Sequence, residues 1–203
     1  MHFDPNRFLL DTYPERSKFF RKVGKIDLLK RKNVPVPIAV ARTVVGQMLS
    51  GAAARAIYAK LEDATDHQNL PGVWHLNEAS LRACGLSGGK TRTIIEFSES
   101  YSKNAATIDS WPELSFEVFS TNICAYWGIS DWTASIISLS YFGNEDVFPT
   151  ADGSVQRALK MIDYQFPSQH RRRPGDLNPS RSQPYRSYLA LALWKGIDEG
   201  VLA

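Results

Sequence analysis

The stretch "ICAYWGISDWTASII", residues Ile123–Ile137, decides how the rest of the chain is read. It sets a glycine between two apolar-patterned segments. Upstream, "SFEVFSTNICAYW" puts Phe116, Phe119, Ile123 and Tyr126 on one face, the spacing of an amphipathic helix. Downstream, "DWTASIISLSYF" predicts a second helix. The turn between them is read as very short, around Gly128, Ile129 and Ser130. Gly128 admits backbone conformations that other residues resist. Ile129 can tuck inward and pin the two helices together. Ser130 and Asp131 start the second helix, whose free N–H groups and dipole make an anion site. A nucleic-acid phosphate fits such a site, and a contact of that kind reads no base sequence. As bare spacing, the same pattern also describes ordinary helix–turn–helix packing.

Working outward, the signal stays helical. "IAVARTVVGQMLSGAAARAIYAK", Ile38–Lys60, reads as two helices meeting near Gln47–Gly51, with Ser50 capping the second. A short helix is predicted over Glu78–Ala83. "CGLSGGK" breaks it, and Ser87 can cap a helix from about Gly88 to Ser102. "SVQRALKMI" follows Asp152, and "YRSYLALALWKGI" forms the last helix. No strand alternation persists, and no repeat occurs. The predicted fold class is all-α: a two-lobed helical domain with a hairpin at about 115–141 and a cleft between lobes, one domain over 1–203. The least ordered region is read at 167–184, "PSQHRRRPGDLNPSRSQP", which contains a basic run at 171–173. A second basic cluster, "ERSKFFRKVGKIDLLKRK", reads either as a solvated face or as a DNA-flanking surface.

Composition sets bounds. At 203 residues the chain suits one domain or two small lobes. Hydrophobic residues make up 43%, enough for a real core and too many for a disordered chain. The net charge of +3 is a mild basic bias, compatible with nucleic acid without requiring it. Cys84 and Cys124 are the two cysteines, each in an apolar pattern, and read as reduced, buried thiols. Two thiols cannot form a four-thiolate zinc or iron–sulfur site. The N-terminus lacks the pattern of a signal peptide, and no run of about 18 apolar residues occurs. A soluble, cytoplasmic protein is therefore expected.

Five motifs, in order, carry a family resemblance. "GQMLSGAAARAI", "CGLSGGKTRTI", "YWGISDWTA", "DVFPTADGSVQRAL" and "QPYRSYLALALW" together span about Val34 to Trp194. They resemble the helix-hairpin-helix DNA glycosylase superfamily, and the last resembles the alkylation-repair branch, the bacterial 3-methyladenine DNA glycosylase II type. There are departures. Ser130 replaces the hairpin's second glycine, and Asp131 stands where a small or basic residue is more usual. Asp131 next to a phosphate is unfavourable. It can instead act on the helix N-terminus or hold a cation. The chain also reads as lacking the N-terminal β-domain of the longer bacterial enzymes.

The resemblance implies a chemistry. Asp152 falls at the position of the catalytic carboxylate, which stabilises an oxocarbenium-like sugar and orients water. Taken alone, Asp152 is also a good helix N-cap. Trp132 occupies the place of the lysine that bifunctional relatives use as a nucleophile, so water is the expected attacking species. Gln47 and Met48 match the wedge that fills the gap left by a flipped base, although Met48 could equally be an ordinary core residue. Trp132, Trp194 and Ile136 match base-pocket positions, the indoles suiting cationic methylated purines. Gly128, Ile129, Ser130 and Thr133 match the backbone-binding hairpin. The implied function is a monofunctional glycosylase for alkylated purines in double-stranded DNA, monomeric and without a cofactor beyond a structural monovalent cation at the hairpin. The alternatives are a non-catalytic relative that binds distorted duplex, or a glycosylase for oxidised or deaminated bases.

Overall fold

The computed structural model describes residues 3–167 and 177–202. The basic run at 171–173 and half of the segment read as least ordered, residues 168–176, lie outside these described residues. Ten α-helices occur among them: α1 (Pro5–Thr12), α2 (Ser17–Val23), α3 (Val36–Gly46), α4 (Gly51–His67), α5 (Glu78–Ala83), α6 (Gly88–Asp109), α7 (Phe116–Ile123), α8 (Asp131–Ile137), α9 (Gly153–Gln165) and α10 (Arg186–Asp198). No strand is found among the described residues, so the chain is all-α as predicted. Several helices begin where a side-chain oxygen can take an otherwise unpaired N–H. Ser50 accepts from Ala53 N–H at 3.3 Å and Ser87 from Lys90 N–H at 3.4 Å. Ser115 accepts from Val118 N–H at 3.4 Å and Asn77 from Ser80 N–H at 2.9 Å.

The chain divides into two compact units, each with its own hydrophobic core. One is Arg31–Phe142; the other combines Met1–Lys30 with Gly143–Ala203. In the first, α3 is apolar on nearly every side, burying Val36, Ala39, Val40, Ala41, Val44 and Val45. A helix of that kind belongs in the middle of its unit, and α3 packs on α4, α6 and α8. Helix α6 runs past the predicted end near Ser102, through a kink at Asn104 (φ −134°, ψ 30°). The Asn104 amide donates to the Ser100 carbonyl at 3.3 Å, competing with the helical ladder. Burial of Ile108 draws the resumed turn into the core.

The hairpin itself is longer than the sequence suggests. Helix α7 ends at Ile123, and residues 124–130 form the connection in place of a three-residue turn. The amphipathic spacing was misleading because Tyr126 reaches the core without being helical. Its ring lies 5.0 Å from Phe97 and 6.2 Å from Trp111, both edge-on. Helix α8 passes at Ile137 into a π-helical turn, Ser138–Phe142, where the sequence reads as one continuous helix.

In the second unit α10 is central, packed on α9, α2 and α1. It approaches α2 so closely that a Cβ on Gly196 would lie 2.9 Å from the Phe19 ring. The start of α10 organises the segment that leads to Asp152. Asp146 pairs with the Arg186 guanidinium at 2.6 Å and accepts from Arg186 N–H at 3.3 Å, so it is a structural acid. Ser187 Oγ accepts from Val147 N–H at 2.9 Å. Tyr188 Oη donates to the Glu145 carboxylate and accepts from Leu29 N–H at 3.3 Å. The N-terminal basic cluster is mixed. Lys18, Arg21, Lys22, Lys25 and Lys30 are exposed, whereas Arg16 is buried and pairs with Asp163.

Candidate functional site

The acid comes first. Asp152 N–H donates to the Pro149 carbonyl at 3.0 Å, closing a tight turn after "FPTA". Its side chain then caps α9, Oδ1 accepting from Val155 N–H at 2.8 Å. The same oxygen accepts from Trp194 Nε1–H at 3.0 Å. Asp152 is only 8% exposed. A cap needs one backbone donor; an indole from another helix is a further constraint, and together the two donors fix the carboxylate's direction. Capping alone does not account for both donors at Asp152. Trp194, read from sequence as a stacking surface, is half-buried on α10, with its edge N–H on Asp152.

The hairpin is built on Gly128, at φ +76°. A Cβ there would lie 2.3 Å from Thr93 Oγ1, so glycine is required both by conformation and by the close approach of α6. Ile129 is buried at 7% exposure, as predicted. Ser130 is the N-cap residue of α8 but makes no capping hydrogen bond with its side chain. Asp131 occupies the first turn, where a negative charge suits the helix dipole. Its Oδ1 accepts from Ser120 Oγ at 3.3 Å and from Cys124 Sγ at 3.6 Å. The carboxylate is thus held back onto α7. Thr133 is fully buried, and Trp132 and Ile136 are half-buried on α8.

The α3–α4 junction separates the two residues read as a wedge. Met48 is 102% exposed, which excludes the core reading, and holds a left-handed backbone at φ +55°. Leu49 beside it is 39% exposed. Gln47 instead points into the protein, its Nε2 donating to the Gly128 carbonyl at 3.1 Å and Thr133 Oγ1 at 3.0 Å. Lys90 was missed as a site residue. Its Nζ donates to the carbonyls of Val45 at 2.8 Å and Gln47 at 2.7 Å, capping the end of α3. Desolvation there pushes the Lys90 ammonium below its usual range. The one signal in the sequence was its place in "CGLSGGK".

Cys84 is buried and Cys124 half-buried, both free, and burial pushes both thiols up. Among the described residues no cluster of three or more His, Cys, Asp and Glu side chains could hold a metal ion. Among them, too, no helix is long and apolar enough to cross a membrane. Asp152 and Trp194 belong to one unit; Gln47, Met48, Lys90, the hairpin, Trp132 and Ile136 belong to the other.

Two short helices around a glycine at positive φ, with an inward isoleucine and a buried threonine, define a helix-hairpin-helix protein. Residues 41–172 match the HhH-GPD superfamily of base excision DNA repair proteins, and the chain belongs to that superfamily. The fold is that of two solved structures in particular. The Schizosaccharomyces pombe 3-methyladenine DNA glycosylase Mag1, in complex with abasic DNA, aligns at a TM-score of 0.78 with 20% identity over 96% of both chains. A Bacillus halodurans DNA-3-methyladenine glycosidase aligns at 0.73 with 21% identity, over 97% of this chain and 90% of that one. By sequence, a Mycobacterium tuberculosis protein described as a bifunctional transcriptional activator/DNA repair enzyme, AlkA, is 25% identical over 132 residues. A Bacillus subtilis protein described as a DNA-3-methyladenine glycosylase, YfjP, is 24% identical over 136 residues. Each match covers about two thirds of this chain (65% and 63%), but only 25% and 47% of those relatives' lengths.

Proposed function

We propose that this chain is a monofunctional DNA glycosylase, hydrolysing the N-glycosidic bond of flipped alkylated purines of the 3-methyladenine and 7-methylguanine type. The observation that carries the reading is the Asp152 carboxylate, buried and fixed by Val155 N–H and Trp194 Nε1–H at the head of α9. Breaking the bond leaves positive charge on the sugar. A fixed anion beside that sugar stabilises it without reorganising, and can orient the water that attacks the anomeric carbon. A purine methylated at N3 or N7 carries its own positive charge, so it departs as a neutral base with the bonding pair. Trp132 leaves no amine at the lysine position, and water is therefore the nucleophile. Trp194, whose N–H holds Asp152 Oδ1, is assigned to stacking on the flipped base, because an indole face attracts a cationic ring.

Double-stranded DNA with damaged bases is the proposed partner, a reading supported by the abasic-DNA complex of the S. pombe relative. The backbone around Gly128, Ile129, Ser130 and Thr133 meets a phosphate, and Met48 fills the gap left by the flipped base. The protein works as a monomer in the cytoplasm, at the nucleoid if the cell is bacterial. It needs no cofactor, with at most a monovalent cation at the hairpin, so excision is expected to persist in excess EDTA. The deciding experiment is incubation with oligonucleotide duplexes carrying defined lesions, followed by alkaline cleavage of abasic products. Strand breaks at methylated purines support the reading. Breaks only at oxidised or deaminated bases would move the substrate, and DNA binding with no breaks would leave a non-catalytic binder.

A further inference from the structure

We infer that Gln47 and Lys90 are positioning residues that lock Met48 in solvent, in its inserting geometry, before DNA arrives, and tie it to the hairpin. The inference rests on the wedge reading of Met48. It starts from an oddity of conformation. Met48 is fully exposed, so its side chain gains nothing from the fold, yet it holds a left-handed backbone that long side chains rarely adopt. A strained residue persists only where its surroundings over-determine it. Those surroundings are in place on both sides. Before it, Lys90 Nζ holds the carbonyls of Val45 and Gln47, so α3 cannot continue or fray. Behind it, Leu49 N–H donates to the Gly46 carbonyl at 3.2 Å, and Ser50 starts α4 at once.

Gln47 supplies the link to the hairpin. Its one amide nitrogen donates to the Gly128 carbonyl and to Thr133 Oγ1, the two residues that flank the start of α8. The wedge and the phosphate-facing turn are thereby parts of one frame within a single unit. Strain at an exposed residue without a stabilising return is the pattern of a preorganised functional group. A flexible wedge would have to be ordered during each flipping event, whereas this one is already in place.

The test uses the full chain and two readouts. The first is the fluorescence of 2-aminopurine placed beside a tetrahydrofuran abasic analogue in duplex DNA, which rises when a side chain unstacks it. The second is single-turnover excision from a methylated duplex. Gln47→Met and Lys90→Met, which keep volume but remove the donors, are expected to lose most of the fluorescence rise. They should slow excision about ten- to a hundredfold, the scale of an ångström-level misplacement. Made in a Met48→Ala background, the same substitutions should add almost nothing, because they act through Met48. Losses that add in full, or variants of both residues that fail to fold, would make Gln47 and Lys90 scaffold and overturn the inference. Full fluorescence in both variants would do the same while leaving the glycosylase reading intact. A parent that excises no lesion but shows the Met48-dependent signal, reduced in both variants, would sustain the inference and sink the enzymatic reading.

Discussion

Trp194 is the residue on which the two readings of the acid meet. Its indole is the proposed stacking surface for a base, and its N–H holds Asp152 Oδ1. The two tasks can be separated by substitution. Trp194→Phe keeps an aromatic face and removes the donor, whereas Trp194→Ala removes both. If the hydrogen bond matters to chemistry, the Phe variant should slow single-turnover excision about tenfold or more while binding undamaged duplex like the parent; a parental rate would make the N–H incidental. The Ala variant should lose more, by about the 1–3 kcal/mol that stacking on a base is worth. Trp132 carries a simpler expectation. Borohydride added during turnover should trap no covalent protein–DNA adduct, and a trapped adduct would reveal an amine nucleophile elsewhere. The cap at Asp152 was legible in the sequence because a cap is local, its partner lying three residues on. Trp194's hold on it was not, since 42 residues separate the pair.

At the level of elements, the hairpin turns on one glycine. Gly128→Val would force a β-branched residue into φ +76° and push Cβ into Thr93 Oγ1, a backbone strain of about 1–3 kcal/mol before the clash is counted. The variant should melt lower than the parent and bind DNA weakly whatever the sequence. Tight binding by a folded Gly128→Val protein would show that the turn is not the phosphate contact. The caps at Ser50 and Ser87 and the inward Ile129 followed from sequence, because each depends on neighbours within a turn. The length of the connection did not. Periodicity carried Tyr126 into the helix on the strength of its core position, which it reaches through contacts with Phe97 and Trp111 far along the chain. Lys90 escaped for the same reason: the carbonyls it holds lie 43 and 45 residues away.

For the whole molecule, the two cores set the response to alkali. Burial raises the phenols of Tyr13, Tyr58, Tyr101, Tyr141 and Tyr188, and Tyr188 is held up further by the Glu145 carboxylate. A phenol raised in the folded state keeps its proton after the unfolded chain has lost it. Its contribution to stability is whole below about pH 10 and drains away as the pH climbs beyond that. Lys90, lowered by desolvation, has the opposite sign, favouring the fold as pH rises toward 10.5, but it is one group against the five phenols and the raised thiols of Cys84 and Cys124. The melting temperature should therefore fall above about pH 10, and less steeply in Tyr188→Phe, as calorimetry across pH 8–11 would record. A melting temperature that rises through that window would contradict the burial of these phenols. The helical class was readable from hydrophobic spacing, the two lobes from chain length and the hairpin from its glycine, whereas the wiring inside each unit is made of long-range hydrogen bonds that no local pattern announces. The central claim is that one fixed carboxylate makes this fold an enzyme. Its most direct test is single-turnover excision of 7-methylguanine from duplex DNA by Asp152→Asn, beside a thermal melt of the same preparation. The asparagine keeps the size and an oxygen for Val155 N–H, so folding and DNA binding should stay near parental while excision falls at least about a hundredfold. Near-parental excision by a well-folded Asp152→Asn protein would contradict the claim and leave Asp152 as a helix cap alone.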